Sequence, residues 1–300
     1  MKLETASVEE KRMTFGQHLE ELRRRMAFSL IGVAIAFVAC FLKDEPLFRV
    51  MVWPHRTAMK SLSEAYEKAR GSVQEALAKK FPDPKEHSFA ERLIEFLKDR
   101  GMLREPFRNQ LQVIRYPESF LASVKISLIF GLIFSAPWVL WQLWLFVVEG
   151  LYEPERRAVR TFFPLSVGLF AAGVLFGYFV MVPISLKFLG GWAPPETVEA
   201  NFTLEEYLNL FFIFTLALGA LFLLPVVMLV LDRVGILGAA TYRRRRKYAL
   251  LIIVLTAAVI TPTGDPITLM LLAGPLYLLY ELGILLLRLF PARAIGGART

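Results

Sequence analysis

Six apolar runs restrict this chain to one class of fold. They fall at about 26–42, 120–148, 162–189, 207–231, 248–260 and 267–289. A helix rises about 1.5 Å per residue, so roughly 20 apolar residues cross the ~30 Å of hydrocarbon in a bilayer. The fifth run is short for that task. It is separated from the sixth by "TPTGDP", whose prolines and glycine break any continuous helix. Hydrophobic residues make up 55% of the chain, above the about 45–50% of soluble domains. The first run follows a charged leader, and no small-x-small cleavage pattern follows it at 40–43, so it reads as a retained helix. The expectation is an all-α, polytopic membrane protein with six transmembrane helices.

Charge sets the expected orientation. The formal net charge is +8, but the positives sit at the ends of apolar runs, which argues against a nucleic-acid partner. Lys11, Arg12 and Arg23–Arg25 precede the first run. Arg156, Arg157 and Arg160 follow the second. Arg233, Arg243–Arg246 and Lys247 lie between the fourth and fifth, and Arg293 and Arg299 follow the sixth. By contrast, 190–207 carries four glutamates and no Lys or Arg. Such alternation places the basic ends, and both termini, in the cytoplasm. The loop at 43–118 breaks the pattern with 15 basic and 12 acidic residues. Loops beyond about 60 residues cross membranes largely regardless of charge.

That loop has helical periodicity of its own. Tyr66, Ala69, Val73, Leu77 and Phe81 recur at three and four. Ser88 and Glu91 make a capping box before Phe89, Leu93, Phe96 and Leu97, and Gly101 ends the pattern. A helical hairpin inserted at 55–112 is expected, as a spacer or a partner-binding arm.

Motifs of catalysis are missing. The three histidines, His18, His55 and His87, lie outside the apolar runs. No HExxH, phosphate-cradling Gly-rich loop or dinucleotide fingerprint occurs. The single Cys40 can form neither an intramolecular disulfide nor a Cys/His metal set. The chain reads as no enzyme, with no cofactor and no metal. Ionisable groups inside membrane helices are functional candidates by default. Lys125 and Lys187 sit near helix ends, from which a lysine can snorkel. Glu281 has apolar residues on both sides and is expected to be protonated or paired. Glu281, Asp265, Pro54 and Phe146 are carried as intramembrane or loop candidates. Pro137, Pro164, Pro183, Pro225 and Pro275 should bend their helices, and with the short fifth helix they suggest a cupped bundle.

Four stretches, "FGQHLEELRRRM" (15–26), "SAPWVLWQLWLFVVEGLYEPERR" (135–157), "TLEEYLNLFFIFTLALGALFLLPVV" (203–227) and "ITPTGDPITLMLLAGPLYLLYELGIL" (260–285), together with the run of six spans, resemble the TatC family, the receptor core of the twin-arginine translocase. The resemblance implies a receptor for twin-arginine signal peptides of folded cargo, in the bacterial inner membrane. It implies TatA- and TatB-type small subunits as partners and a homo-oligomeric receptor complex within the lipid bilayer. It assigns signal-peptide binding to Glu21 and Glu155, with Arg23 and Arg157 beside them. A guanidinium pairs bidentately with a carboxylate, which suits two acids to a di-arginine ligand. The local alternative is that both acids merely neutralise neighbouring arginines. Leu223 stands where the family has a buried glutamate in its fourth helix, and the 55–112 loop is longer than usual. Two other readings use no such ligand: a secondary transporter coupling ions through Glu281 and Asp265, or a membrane scaffold. Paired acids near the midplane would favour the transporter.

The topology is testable with one added thiol. Ser72→Cys should react with a membrane-impermeant maleimide applied from the side opposite the termini. Labelling only from the side of the termini would reverse the orientation.

Overall fold

The computed structural model describes residues 15–80, 111–149, 153–192, 203–261 and 265–290, with the backbone alone over 153–161. In chain order the helices are α1 (Phe15–Phe41), α2 (Asp44–Lys80), α3 (Glu118–Glu149), α4 (Glu153–Phe176), α5 (Val182–Trp192), α6 (Leu204–Phe212), α7 (Leu218–Leu221), α8 (Leu224–Arg233), α9 (Ala239–Arg244), α10 (Arg246–Ile260) and α11 (Pro266–Leu289). One π-turn, Gly177–Met181, joins α4 to α5, and a second, Ile213–Ala217, joins α6 to α7. Among the described residues there is no strand; one isolated parallel pairing links Gln112 to Thr203.

Among the described residues, five stretches are long and apolar enough to cross a membrane: Gly16–Phe41, Glu118–Glu149, Phe162–Gly191, Leu204–Arg233 and Pro266–Leu289. The fifth apolar run is α10. Its 15 residues span roughly 22 Å by the helical rise, short of a ~30 Å core. The spans lie in a row. α1 packs on α3, α3 on α4, and α4 on the α6–α8 span; α8 packs on α11, and α11 on α10. The last helix in sequence therefore sits inside the penultimate one.

Glycines set the closest approaches. A Cβ at Gly32 would run into the Trp138 indole, and one at Gly131 would lie 3.0 Å from the Phe37 backbone. α1 and α3 thereby meet antiparallel, and Trp138 Nε1 donates to the Phe28 carbonyl at 3.0 Å. Gly173 and Gly177, one turn apart, press on the Leu218 and Phe214 carbonyls of the fourth span. Small residues let helices approach closely in lipid, where the hydrophobic effect gives little drive to associate. Both π-turns lie at this crossing.

The 43–118 region departs from the sequence expectation. α2 runs without a break from Asp44 past Pro54 to Lys80, so 63–80 continues a helix that begins before position 55. Asp44 and Glu45 favour its start at the positive end of the helix dipole. Pro54 removes the N–H that would bond the Val50 carbonyl. Tyr178 Oη donates to that carbonyl at 2.6 Å. Tyr207 Oη donates to the Met51 carbonyl beside it. Side chains from the third and fourth spans thus satisfy the proline-bearing turn. The second arm expected at 88–101 lies outside the described residues.

His55 follows Pro54 and is fully buried, its ring 5.5 Å from that of Tyr207. Burial, helped by the adjacent Arg56 charge, pushes its pKa down to about 4. The unfolded chain takes up this proton near the ordinary 6.5 and the folded chain only near 4. Stability from a neutral His55 is therefore complete above about pH 6.5 and falls as the pH drops toward 4, by at most about 1.4 kcal/mol per unit. Thermal melts between pH 7 and 4 should show this acid-side loss. His55→Gln should flatten it relative to the parent chain; parallel profiles would mean that His55 does not carry it.

Candidate functional site

The two glutamates before the first span differ sharply in setting. Glu20 pairs with Arg23 at 2.5 Å in the open, its side chain 64% exposed. Glu21 is only 14% exposed. Its Oε1 lies 2.5 Å from Arg25 Nε, and its Oε2 lies 3.9 Å from Arg24 Nη1. Helical geometry explains the split. Glu21, Arg25, Phe28 and Gly32 recur at three- and four-residue steps, so they share the face of α1 that packs on α3. Arg25 Nη1 also donates to Gln142 Oε1 on α3 at 3.4 Å. One turn further along α3, Phe146 stacks on His18 with ring centroids 4.5 Å apart. Carboxylate, guanidinium, amide and aromatic ring therefore form one cluster between two helices.

Glu155 and Arg157 belong to the first turn of α4, and their side chains lie outside the described residues. α3 ends at Glu149 and α4 begins at Glu153, so this turn is at the same end of the bundle as Glu21. Trp144 Nε1 donates to Ser166 Oγ at 2.9 Å, and Trp141 meets Phe163 edge-on at 5.0 Å. These contacts fix α4 against α3 just inside that turn.

The remaining candidates have structural partners. Pro54 lies in α2, at the other end of the bundle from Glu21. Asp265 is the N-cap of α11, its carboxylate accepting from Thr268 N at 2.7 Å. Glu281 accepts from Arg246 Nη2 at 2.7 Å and from Tyr277 Oη at 3.2 Å. The acid is paired, as one of the two sequence expectations held. Its cation comes from this chain, at the start of α10. Asp265 and Glu281 stand 16 residues apart on one helix, roughly 24 Å by the helical rise. They cannot make the paired midplane acids of a transporter. Lys125 has a partner as well: its Nζ lies 3.2 Å from Asn209 Oδ1 and 3.6 Å from Glu205 Oε1. Leu223 occupies the turn between α7 and α8, two residues before Pro225. The helix interruption expected at that proline is present.

Sequence reasoning missed Glu118. Buried at the start of α3, it accepts from the backbone N–H groups of Ile114 at 2.8 Å, Arg115 at 3.1 Å and Glu205 at 3.1 Å. Leu204 N donates to the Gln112 carbonyl at 2.9 Å. One carboxylate therefore ties the start of α3 to the start of α6. An acid directly after Pro117 at a helix start was the available signal.

This architecture defines a multi-pass membrane protein with an acid–arginine cluster at one end of its bundle. The model of the Sec-independent protein translocase protein (TatC) family matches residues 17–275. The chain is 32% identical to Sec-independent protein translocase protein TatC of Koribacter versatilis (strain Ellin345), over 91% of this chain and 84% of that one. It is 33% identical to the protein of that name from Deinococcus radiodurans, over 91% and 85% of the two chains. A crystal structure described as the twin arginine translocase receptor TatC superposes with a TM-score of 0.63 at 27% identity, covering 91% of this chain and 98% of that one. The chain belongs to the TatC family.

The Arg246–Glu281 contact should couple α10 to α11. In a double-mutant cycle of Arg246→Gln and Glu281→Gln, unfolding should reveal a coupling of about 1 kcal/mol, typical of a partly exposed ion pair. Strict additivity would show that the pair contributes nothing.

Proposed function

We propose that this chain is the receptor subunit of a twin-arginine translocase and that Glu21 binds an arginine of the signal peptide. The observation that carries this reading is the state of Glu21. It is a largely buried carboxylate at a bundle end, and its resting partners are already guanidinium groups. A ligand arginine can replace Arg25 on Glu21 while Arg25 keeps Gln142. The exchange keeps Glu21 paired throughout and leaves the Arg25 guanidinium on the Gln142 amide. Glu155, on the first turn of the neighbouring helix, is the second acid of the proposed site, flanked by Arg157. Arg23, held by exposed Glu20, fits a rim position, and Phe146 fits an apolar wall beside the ligand.

The orientation follows from loop charge: both termini cytoplasmic, in a bacterial inner membrane, with the acids facing cytoplasmic cargo. TatA- and TatB-type subunits are the expected partners, within a receptor complex holding several copies. Membership of the TatC family and the likeness to a structure described as a twin arginine translocase receptor support these readings. With Leu223 in place of an acid, contact with a partner helix near α7 and α8 would rest on apolar packing.

Titration of the purified chain with a fluorescent twin-arginine peptide tests the site. Glu21→Ala and Glu155→Ala should each weaken binding at least tenfold, about 1.4 kcal/mol, the low end of losses from truncated charge pairs. Glu20→Ala should change it little. A di-lysine peptide should bind poorly even to the parent, because an ammonium lacks the fork. Unchanged affinity in both Glu21→Ala and Glu155→Ala would overturn the assignment.

A further inference from the structure

The other end of the row holds a second basic cluster. Residues 243–247 read Arg-Arg-Arg-Arg-Lys. Arg246 is taken by Glu281. Arg243, Arg244, Arg245 and Lys247 are exposed and pair with no acid among the described residues. Beside them, α9, α10 and α11 line an open cavity of about 520 Å³. Its lining combines polar groups, among them Arg245, Tyr242 and Tyr248, with apolar ones, Leu237, Ala249 and Ile252. The Tyr242 hydroxyl is buried and has no hydrogen-bond partner among the described residues. Burial pushes its pKa up to about 12, so it stays a donor. α10 begins at Arg245 without a side-chain cap, which leaves first-turn N–H groups open to an anion.

The apolar side of the cavity continues along α10. Tyr248, Ile252, Leu255 and Val259 recur at helical spacing and are 62–79% exposed. This stripe starts at the arginines and runs into the depth of the bilayer.

We propose that this cavity binds an anionic phospholipid, its phosphate at Arg245 and the α10 N-terminus and one acyl chain along the Ile252–Val259 stripe. Arg245 offers a planar fork to the phosphodiester. Tyr242 supplies a neutral donor, and the unpaired Arg243, Arg244 and Lys247 select negative headgroups. A free phosphate would satisfy the polar side only; the contiguous apolar stripe commits the site to a lipid.

The test uses the full chain in detergent, with retained lipid counted by native mass spectrometry. Phosphatidylglycerol should be retained at least fivefold over phosphatidylcholine with the same chains. Arg245→Gln should bring that ratio near one, Arg245→Lys should recover part of it, and Ala249→Trp should lower it by filling the cavity while leaving every charge in place. Arg49→Gln on α2, at the far end of the bundle, should leave the ratio unchanged. Melting temperatures within a few degrees of the parent identify variants that remain folded. Equal retention of the two lipids by the parent would overturn the proposal. So would parental retention in both Arg245→Gln and Ala249→Trp, or displacement of the lipid by an equal concentration of inorganic phosphate.

Discussion

A carbonyl sealed from water in protein or lipid costs several kcal/mol if it is left unsatisfied. That constraint shows at several irregular places in this fold. Prolines lie inside α2, α3, α4 and α11, and π-turns interrupt the third and fourth spans. At Pro54 the Val50 and Met51 carbonyls are taken by tyrosines from two other spans. In the second π-turn, Thr215 Oγ1 donates to the Phe211 carbonyl at 2.6 Å. Tertiary structure is thus built where secondary structure fails. The proline-bearing turn of α2 becomes the place where the third and fourth spans are clasped together, with His55 sealed behind it.

Spans and basic ends were legible because both follow from the bilayer, which acts on each segment separately. Helix length reports hydrocarbon thickness, and loop charge reports sidedness. The ties between distant segments were not legible. Nothing local says that Glu118 reaches the N–H of Glu205, or that Lys125 meets Glu205 and Asn209. Nor was the continuity of α2 across Pro54 legible, where two hydroxyls more than 120 positions away bond the Val50 and Met51 carbonyls. Glu281 was the reverse case. Its place in an apolar run called for protonation or a partner, and the cation that pairs with it depended on α10 folding back along α11.

Glu20 and Glu21 show how one residue of register separates a solvated charge from a site. Adjacent positions on a helix point about 100° apart. One faces water and the other faces α3, where Gly32 and Gly131 let the backbones close. The glycines near the middle of α1 thus determine how far the acid at its end is drawn from solvent. A carboxylate so placed already has a cation, so under the function proposed above recognition would trade one guanidinium for another. Specificity would then rest on geometry and on the fate of Arg25, with Gln142 available to receive it.

The spatial order of the last two helices differs from their order in the chain, and this bears on how the protein is made. During synthesis α10 leaves the ribosome before α11, yet its main neighbour is α11. Until that neighbour arrives, the shortest span has little protein to lean on and too few residues to cross the bilayer unaided. Only five residues separate α10 from α11 in sequence, and the Arg246–Glu281 pair joins the two helices at their far end. α10 and α11 are therefore suited to enter the membrane as a preassembled hairpin, with α11 docking on α8 and carrying α10 in on its outer side. The final step of assembly is then also the one that completes the basic margin of the molecule.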